Sequence, residues 1–358
     1  MKKLIALILS LGLLISLSGC GTAQTAGSNA GNSSGSSASS KKITIGTSPY
    51  PAWYVWYIAK EENLFQKYGL NVDLVYFPVY SDSLQAFNTG KLDMLNIAAC
   101  DTIAPYTKGV KFKTVMINDN SNGADGLVAK TKYQSIKDLK GQKVVTEYGT
   151  IEHFFLLKAL ESAGMKESDI QYTNMTVNDS GTAMLSGKVE AACVWEPSLS
   201  LALGGKDNHL LYSSADTPGL IPDLLVASND LISNNRKEVT NLINVYLDAL
   251  EFYNQNPDKA AADMAKQAEV SPEEMKQMMA GSKLFSVKDN ITAMTEKQTN
   301  YAYLPYTLTE TAKFLKSVNM IDNVPSTPED LIDTSFMQEI SKTRKDFTPP
   351  DTKALAKK

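Results

Sequence analysis

From residue 42 onward, short segments rich in β-branched residues alternate with amphipathic segments that begin at Pro, Ser, Thr or Asp and end near Gly. The first three segments of this series predict a strand over 43–45, a helix from 51 to about 67 and a strand over 72–77. Because parallel strands need a crossover helix between them, such a series folds into parallel-rich sheets with helices on both faces. The chain is therefore predicted to be an α/β protein.

The strand and helix series occurs twice, and the second block begins near residue 135. Two blocks joined by two extended crossings predict two lobes with a cleft between them. We place the crossings near 127–130 and 223–228. The chain after residue 229 is predicted to be mostly helical, with helices over 236–254 and 257–279. The predicted lobes are lobe I, residues 41–128 and 226–358, and lobe II, residues 129–225.

The N-terminus has the pattern of an export signal. Lysines at positions 2 and 3 precede an apolar run over 4–17. That run is shorter than the roughly 20 residues that a transmembrane helix needs, and it is typical of a secretory signal peptide. It ends in Leu17-Ser18-Gly19-Cys20, which resembles a bacterial lipobox with Cys20 as the lipidated residue. An ordinary signal peptide with a chance Cys is the alternative.

Residues 21–40 consist almost entirely of Gly, Ser, Ala, Asn and Thr. Such a segment has too little apolar surface to fold, and it is predicted to be a flexible tether. Residues 1–20 are accordingly assigned to the signal peptide and lipobox, and 21–40 to the tether. A lipidated Cys followed by a tether is expected to hold a folded domain at a membrane surface.

Charge and cysteine usage exclude some classes of protein. The net charge is -4 and there is no basic tract, which argues against a nucleic-acid partner. Apart from Cys20, only Cys100 and Cys193 are present. They could form a disulfide in an oxidising compartment. We expect two buried free thiols instead, because each follows two alanines at the end of a predicted strand.

Aromatic and acidic residues are concentrated in the loops where predicted strands end. Ligands of open α/β sheets bind beyond the carboxyl ends of the strands, so these loops are expected to line the cleft. We expect Trp53 to face the cleft and Trp56, three residues later, to pack in the core. His153 is expected to be structural and His209 to lie in a surface loop. The candidate ligand-binding residues are Tyr50, Trp53, Asp82, Asp101, Asn122, Asp125, Glu147, Thr150, Glu152, Asp179, Trp195 and Glu196.

Two hypotheses for the charge of the ligand remain open. Several predicted helices begin at the cleft, and their free N–H groups favour an anion. Acidic side chains at the same places would satisfy those N–H groups and repel an anion, which favours a cation or a zwitterion. The only arginines, Arg236 and Arg344, lie in the C-terminal helical part. Asp82, Asp101 and Asp179 could instead be simple helix N-caps.

Several short motifs between residues 42 and 228 stand out. They are Tyr50-Pro51-Ala52-Trp53-Tyr54-Val55-Trp56-Tyr57, Ala59-Lys60-Glu61, Phe65-Gln66-Lys67-Tyr68-Gly69-Leu70, Asn88-Thr89-Gly90-Lys91-Leu92-Asp93, Gly141-Gln142-Lys143-Val144, Gly187-Lys188-Val189-Glu190-Ala191-Ala192 and Trp195-Glu196-Pro197. With these motifs the chain resembles the substrate-binding proteins of nitrate, sulfonate and taurine ABC importers, an NMT1/THI5-like group. The segment 121–126 is also similar to binding proteins found with urea- and guanidine-utilisation systems.

The resemblance implies a two-lobed periplasmic-binding-protein fold of type II and a function in solute capture. It implies a monomer without cofactor or metal that works with an ABC permease and ATPase. Together with the lipobox, it implies a place on the outer face of the cell membrane, or on the periplasmic side in a cell with two membranes. The expected solute is a small nitrogen-containing cation or zwitterion, such as a guanidinium, an amine or taurine, and the alternative is an aliphatic sulfonate or nitrate.

An enzyme is the alternative from another class. The same fold includes a pyrimidine synthase that uses a Cys-rich iron motif, and this chain has no such motif. No phosphate-binding loop, nucleophile elbow or pair of His at metal-ligand spacing is present in the sequence. We therefore expect a binding protein.

The lipobox leads to a direct test. We expect Cys20→Ala to release the protein from the membrane fraction, because the thiol that takes the lipid is gone. Fractionation of cells expressing the wild type and the variant measures this. A variant that is processed normally and stays as firmly in the membrane fraction would contradict the anchor.

Overall fold

A computed structural model describes residues 42–357, so the predicted signal peptide, Cys20 and tether lie outside the described residues. The described chain contains eleven strands in two sheets. The strands are β1 Ile43–Thr47, β2 Val72–Tyr76, β3 Met94–Ala98, β4 Phe112–Ser121, β5 Asp125–Lys130, β6 Lys143–Thr146, β7 Gln171–Asn174, β8 Ala191–Trp195, β9 Asn208–Ser213, β10 Pro222–Ser228 and β11 Ser282–Leu284.

Helices surround the two sheets, and the longest follow β10. The α-helices are α1 Val55–Glu61, α2 Leu64–Lys67, α3 Tyr80–Asn88, α4 Ile103–Thr107, α5 Ile151–Ser162, α6 Val177–Leu185, α7 Ser198–Leu203, α8 Asn229–Asn234, α9 Arg236–Gln255, α10 Pro257–Ala268, α11 Pro272–Met279, α12 Val287–Thr295, α13 Leu304–Ser317, α14 Ser335–Thr343 and α15 Thr352–Leu355.

The first sheet has the order β11-β4-β10-β3-β1-β2, and the second has the order β7-β6-β8-β5-β9. Strands β1, β2 and β3 pair in parallel, as do β6, β7 and β8. The remaining pairs are antiparallel. The α/β class with two sheets is thus confirmed, but the sheets are mixed, because β5 and β10 enter each sheet from the other one and run against its parallel strands.

The chain passes from the first sheet to the second between Ser121 and Asp125 and returns between Ser213 and Pro222. The predicted crossing segments lie a few residues later, within β5 and β10. The reason is that each crossing segment pairs as a strand as soon as it reaches the new sheet. The predicted lobe limits, at 128 and 226, therefore fall inside these two strands.

The core of the first sheet is built around Trp56. Its indole is fully buried, stacks on Phe65 at 6.0 Å between ring centroids and meets the edge of Tyr246 of α9 at 5.1 Å. Its Nε1 donates to Asn96 Oδ1 at 2.8 Å. A buried indole needs such a partner. Trp56 is thus a core residue, as the sequence predicted, and it joins α1, β3 and the C-terminal helix α9.

Three sequence-based expectations were wrong in detail. The helix predicted from 51 to about 67 is a 3-10 helix, Pro51–Tyr54, followed by α1 and α2, which are separated at Asn63 with its positive φ of 55°. The helix predicted over 257–279 is two helices, because Ser271 caps a new helix whose first residue is Pro272. A proline cannot donate the hydrogen bond that would continue α10. His209 lies in β9 rather than in a surface loop, and its Nε2 is 2.7 Å from the carbonyl oxygen of Tyr133.

The structure confirms that Cys100 and Cys193 are free and buried. Cys100 follows β3 of the first sheet and Cys193 lies in β8 of the second sheet. In the part of the chain that the structure describes, no helix has both the length and the apolar character needed to cross a bilayer.

The packing of Trp56 predicts a large loss of stability on truncation. We expect Trp56→Ala to lower the free energy of unfolding by about 3–5 kcal/mol, since a fully buried indole is replaced by a cavity. Urea unfolding of the purified protein measures the change. Leu185→Ala, at a side chain that is 41% exposed, is the control and should change stability by less than about 0.5 kcal/mol. Equal effects of the two substitutions would contradict this account of the core.

Candidate functional site: an acidic cavity between the two sheets

Four aromatic rings, which we call the aromatic wall, meet between the sheets. Tyr50 and Trp53 precede α1, Tyr80 begins α3, and Trp195 ends β8 of the second sheet. Adjacent ring centroids are 5.3, 5.5 and 5.4 Å apart in that order. All four rings are buried. The wall therefore joins elements of both sheets around one point.

The aromatic wall encloses a central cavity of about 10 Å³, at the lower limit for a single water molecule. Asp125 and Asp223 contribute carboxyl groups to its lining, and Ile151 and Ile221 contribute apolar surface. A solute larger than water can enter only if the two sheets move apart.

Five carboxyl groups, which we call the acidic cluster, lie in or beside this cavity. Four are buried, with exposed fractions of 3% or less, and Asp101 is half-buried. No lysine, arginine or histidine of residues 42–357 makes a hydrogen bond or an ion pair with any of the five carboxyl groups. Uncompensated burial of ionised carboxylates is costly. The cluster consists of Asp101, Asp119, Asp125, Glu152 and Asp223.

Loss of hydration raises the pKa of every carboxyl group in the acidic cluster. Burial raises the pKa of Asp125 to about 6, although a hydrogen bond from Ser121 opposes the shift. Burial raises the pKa of Asp101 to about 7, and hydrogen bonds from Tyr80, Cys100 and Ile151 oppose the shift.

The other three carboxyl groups are shifted further. Burial, and then the charges of Asp119 and Asp125, hold the pKa of Asp223 well above its usual range. Burial and the neighbouring Asp125 do the same for Glu152. Burial also raises the pKa of Asp119, against a hydrogen bond from Tyr50. Near neutral pH the cluster therefore retains protons.

Hydrogen bonds across the cleft close the site. Asp101 Oδ2, from the first sheet, accepts the N–H of Ile151 at the start of α5 at 3.2 Å. Glu147 Oε1, from the second sheet, accepts the N–H of Ser81 in the first turn of α3 at 3.2 Å. Trp195 Nε1 donates to the carbonyl oxygen of Pro49 at 2.7 Å. At each of two helix N-termini, one N–H group thus donates to a carboxylate of the opposite sheet.

The predicted site residues fall into three groups. Tyr50, Trp53, Asp125 and Trp195 line the central cavity. A second group lies behind it or at the contact between the sheets. Thr150 donates to the carbonyl oxygen of Glu147 at 2.9 Å, and Glu152 Oε2 accepts from Cys193 Sγ at 3.0 Å. That second group is Asp101, Glu147, Thr150 and Glu152.

The remaining predicted residues do not line the cavity. Asp82 and Asp179 are exposed in the first turns of α3 and α6, and neither is the N-cap residue of its helix. Both carboxylate oxygens of Glu196 are engaged by Ser200, at 3.0 and 2.8 Å. Asn122 is half-buried, and its backbone N–H donates to the carbonyl oxygen of Gly281. Which of the predicted residues touch a ligand stays a prediction.

Sequence reasoning missed Asp119 and Asp223. Both lie inside strands, in β4 and β10, whereas the search considered the loops that follow strands. Asp223 is an acidic residue in an otherwise apolar segment, and that interruption is the signal that could have found it, whereas Asp119 stands between Asn118 and Asn120 and has no such signal. His153, expected to be structural, lies outside the cavity with its Nε2 2.5 Å from Glu167 Oε2.

The described residues contain no group of three or more His, Cys, Asp or Glu side chains arranged to hold a metal ion. The acidic cluster is spread over elements of both sheets.

Comparisons with known proteins concern the family and the fold of the chain. The family model described as "NMT1/THI5 like" matches residues 51–260. A putative binding protein of Brucella abortus is 30% identical over 216 residues, which are 58% of this chain and 66% of that relative's length, just under two thirds. The taurine-binding periplasmic protein of Escherichia coli is 24% identical over 309 residues, 83% of this chain and 92% of that protein.

Among solved structures, the periplasmic aliphatic sulphonate binding protein of Escherichia coli superposes with a TM-score of 0.68. The superposition covers 83% of this chain and 99% of that chain, at 20% sequence identity. At this identity the likeness concerns the fold. It confirms the predicted two-lobed binding-protein architecture.

The raised pKa values predict how stability depends on pH. A carboxyl group whose folded-state pKa is raised binds a proton more tightly in the folded state, so stability is highest below the unfolded pKa near 4 and falls as pH rises towards 7. For Asp125 alone the loss is on the order of 2–3 kcal/mol.

Thermal unfolding between pH 4 and 8, in the absence of added solute, measures this dependence. Asp125→Asn should flatten it and raise the melting temperature at pH 8, because the titrating group is gone. Asp207→Asn, at an exposed aspartate before β9, should leave the pH profile unchanged. A wild-type profile that rises with pH over this interval would contradict the proposed protonation.

Proposed function

The chain belongs to the NMT1/THI5-like family, and on that premise we propose that it is the solute-capturing component of an ABC importer. It works outside the cytoplasm as a monomer, held to the membrane through a lipid on Cys20, and it delivers solute to a permease driven by an ATPase. The relative described as taurine-binding and the fold shared with the aliphatic sulphonate binding protein support this role. So does a cavity that must open to admit a solute and close to retain it.

We propose further that the solute is a small nitrogen-containing cation or zwitterion. The observation that carries this proposal is the acidic cluster, which lies around the cavity without a basic partner among the described residues. A cation with N–H groups would neutralise the ionised carboxylates and donate hydrogen bonds to them. The faces of the aromatic wall add a cation–π attraction of about 0.5–2 kcal/mol.

An aliphatic sulfonate or nitrate is the second candidate, because relatives are described as binding sulfonates and taurine. The contacts of Asp101 and Glu147 count against a simple anion. Each accepts one N–H group, at the starts of α5 and α3 respectively, and each repels a second anion when it is ionised. A zwitterion such as taurine fits both observations, since its ammonium group suits the carboxylates while its sulfonate accepts hydrogen bonds.

Capture without chemical change fits the groups at the site better than catalysis does. Burial holds the pKa of Cys100 and Cys193 well above the usual range, so both remain thiols and poor nucleophiles. His153 lies on the far side of α5, stacked on Tyr172. Neither the thiols nor the imidazole is among the groups that line the cavity.

A binding experiment separates the two solute classes. A thermal-shift screen of the purified protein with guanidine, amines, taurine, alkyl sulfonates and nitrate should identify a ligand. A ligand present at a hundred times its Kd stabilises the folded state by about 2.7 kcal/mol. For a cationic ligand, Asp125→Asn should weaken binding about ten- to a hundredfold, since a charged hydrogen bond contributes about 1.5–3 kcal/mol.

Titration calorimetry of the wild type and of Asp125→Asn measures this change, with Asp207→Asn as the control that should bind as the wild type does. Unaltered or tighter binding of the best ligand to Asp125→Asn would contradict the cation. It would place sulfonate or nitrate first, because removal of a repulsive charge favours an anion.

A further inference from the structure

Two acidic residues inside strands lie side by side beneath the aromatic wall. Asp119 of β4 and Asp223 of β10 are direct partners in the antiparallel register. Side chains at such positions point to the same face, with Cβ atoms about 4.5–5.5 Å apart. Their exposed fractions are 0% and 3%. Like charges at directly opposite positions destabilise a sheet. The pair therefore lowers the stability of the folded protein, and packing of the sheet does not require it.

One oxygen of each carboxyl group has no hydrogen-bond partner in the described chain. These oxygens are Asp119 Oδ1 and Asp223 Oδ2, whereas Asp119 Oδ2 accepts from Tyr50 Oη at 3.1 Å. The indole Nε1 of Trp53 is also buried without a partner. Buried polar atoms are usually satisfied, and leaving one unpaired costs about 1–3 kcal/mol. Since Asp223 and Trp53 line the central cavity, it presents both an unpaired acceptor and an unpaired donor.

The groups that face this pair are acidic or neutral. After burial, the charge of Asp125 raises the pKa of both carboxyl groups, a hydrogen bond with Tyr50 lowers it, and the charge of Asp101 raises that of Asp223. After burial, the charges of the pair also raise the pKa of Tyr246 of α9. The charge of Asp223 adds to the raised pKa of Cys100, of which burial is the largest cause. No lysine, arginine or histidine of residues 42–357 is among them, so the protein supplies no counter-charge for this pair.

We propose that Asp119 and Asp223 form the subsite that binds the charged nitrogen of the solute, and that this nitrogen carries at least two N–H donors. Protonated amines, amidines and guanidines have such donors. A quaternary ammonium has none and leaves the two oxygens unpaired. The proposal rests on the proposed function and deepens it, because it names the group of the solute that is recognised and the residues that recognise it.

The subsite exchanges a proton for the cation. Burial and the neighbouring carboxylates keep protons on the pair when no cation is present. A bound cation favours the ionised carboxylates, so a proton leaves to solvent as the cation enters, and the net charge of the cavity is unchanged. Affinity should therefore increase with pH, by up to about tenfold per unit below the pKa of the released proton.

Trp53 gives the subsite a second feature. Its unpaired N–H suits an acceptor on the same solute, such as a sulfonate, carboxylate or carbonyl oxygen. The Asp119–Asp223 pair would then bind one end of the solute and the indole N–H the other. This arrangement favours a solute with a cationic donor and an acceptor over one with the donor alone.

The test uses the purified full-length protein and probes that differ in N–H donors. Guanidinium, methylammonium and taurine are compared with tetramethylammonium, methanesulfonate and nitrate by titration calorimetry at pH 7. Titrations in phosphate and in triethanolamine, whose ionisation enthalpies differ and neither of which offers two N–H donors on one nitrogen, give the number of protons released. We expect at least one N–H cation to bind with release of about one proton, and tetramethylammonium to bind at least tenfold more weakly.

Asp119→Asn and Asp223→Asn are the variants, and Asp207→Asn is the matched control. Each cavity variant should weaken the N–H cation about ten- to a hundredfold and reduce the proton release, since one buried carboxyl group is lost. The control should bind as the wild type does. Each cavity variant should also keep or raise the melting temperature at pH 8, because an uncompensated carboxylate is removed, and this shows that the variant is folded.

The outcomes distinguish this inference from the function on which it rests. If an N–H cation binds and both cavity variants bind it as the wild type does, the subsite is wrong and the solute class stands. If tetramethylammonium binds as well as the N–H cations, the requirement for donors is wrong. If only methanesulfonate or nitrate binds, the cationic solute and the subsite both fail.

Discussion

Five carboxyl groups lie between the two sheets without a basic side chain, among the described residues, to balance them. Their mutual repulsion and their loss of hydration must be offset, and protons do so when the site is closed. The aromatic wall excludes water and makes the local dielectric low, which strengthens every charge interaction inside. Under the proposed function, a cation that replaces those protons would gain from the same low dielectric.

The fold places this cluster through its two crossings. β4 and β10 are neighbours in the first sheet, while β5, which directly follows β4, lies in the second sheet. Asp119, Asp223 and Asp125 are therefore brought together where the chain passes between the sheets. Movement of one sheet relative to the other would change the distances among these groups directly.

The cross-cleft hydrogen bonds occupy one N–H group at each of two helix N-termini that face the cleft. Helix N-termini at the cleft are a general way to bind sulfonate, phosphate or nitrate. Here Asp101 and Glu147 accept one such N–H group each, at the starts of α5 and α3 respectively. A shared fold therefore does not fix the charge of the solute, since function depends on the side chains grafted onto it. The family relationship supports the proposed role in solute capture, and the side chains of the cavity support the proposal on the charge of the solute.

Local sequence patterns determined much of the fold. Alternation of strands and helices predicted the α/β class and two blocks, and the spacing of Trp53 and Trp56 separated a cavity residue from a core residue. These predictions succeed because hydrophobic periodicity and helix ends depend on neighbours along the chain. The sequence also singled out Tyr50, Trp53, Asp125 and Trp195, because their positions at strand ends follow from the same local patterns.

Only the tertiary structure decided which acidic residues meet. Asp119 and Asp223 are more than a hundred residues apart, and the antiparallel register of β4 and β10 makes them partners. Asp101 looked like the N-cap of its own helix, yet it accepts the first N–H of α5 from the opposite sheet. Sequence spacing carries no information about such pairings, because they depend on strand order and on the approach of two sheets. The sequence by itself determined most of the elements and half of the residues that line the cavity, whereas contacts between distant segments determined which carboxyl groups meet at its centre.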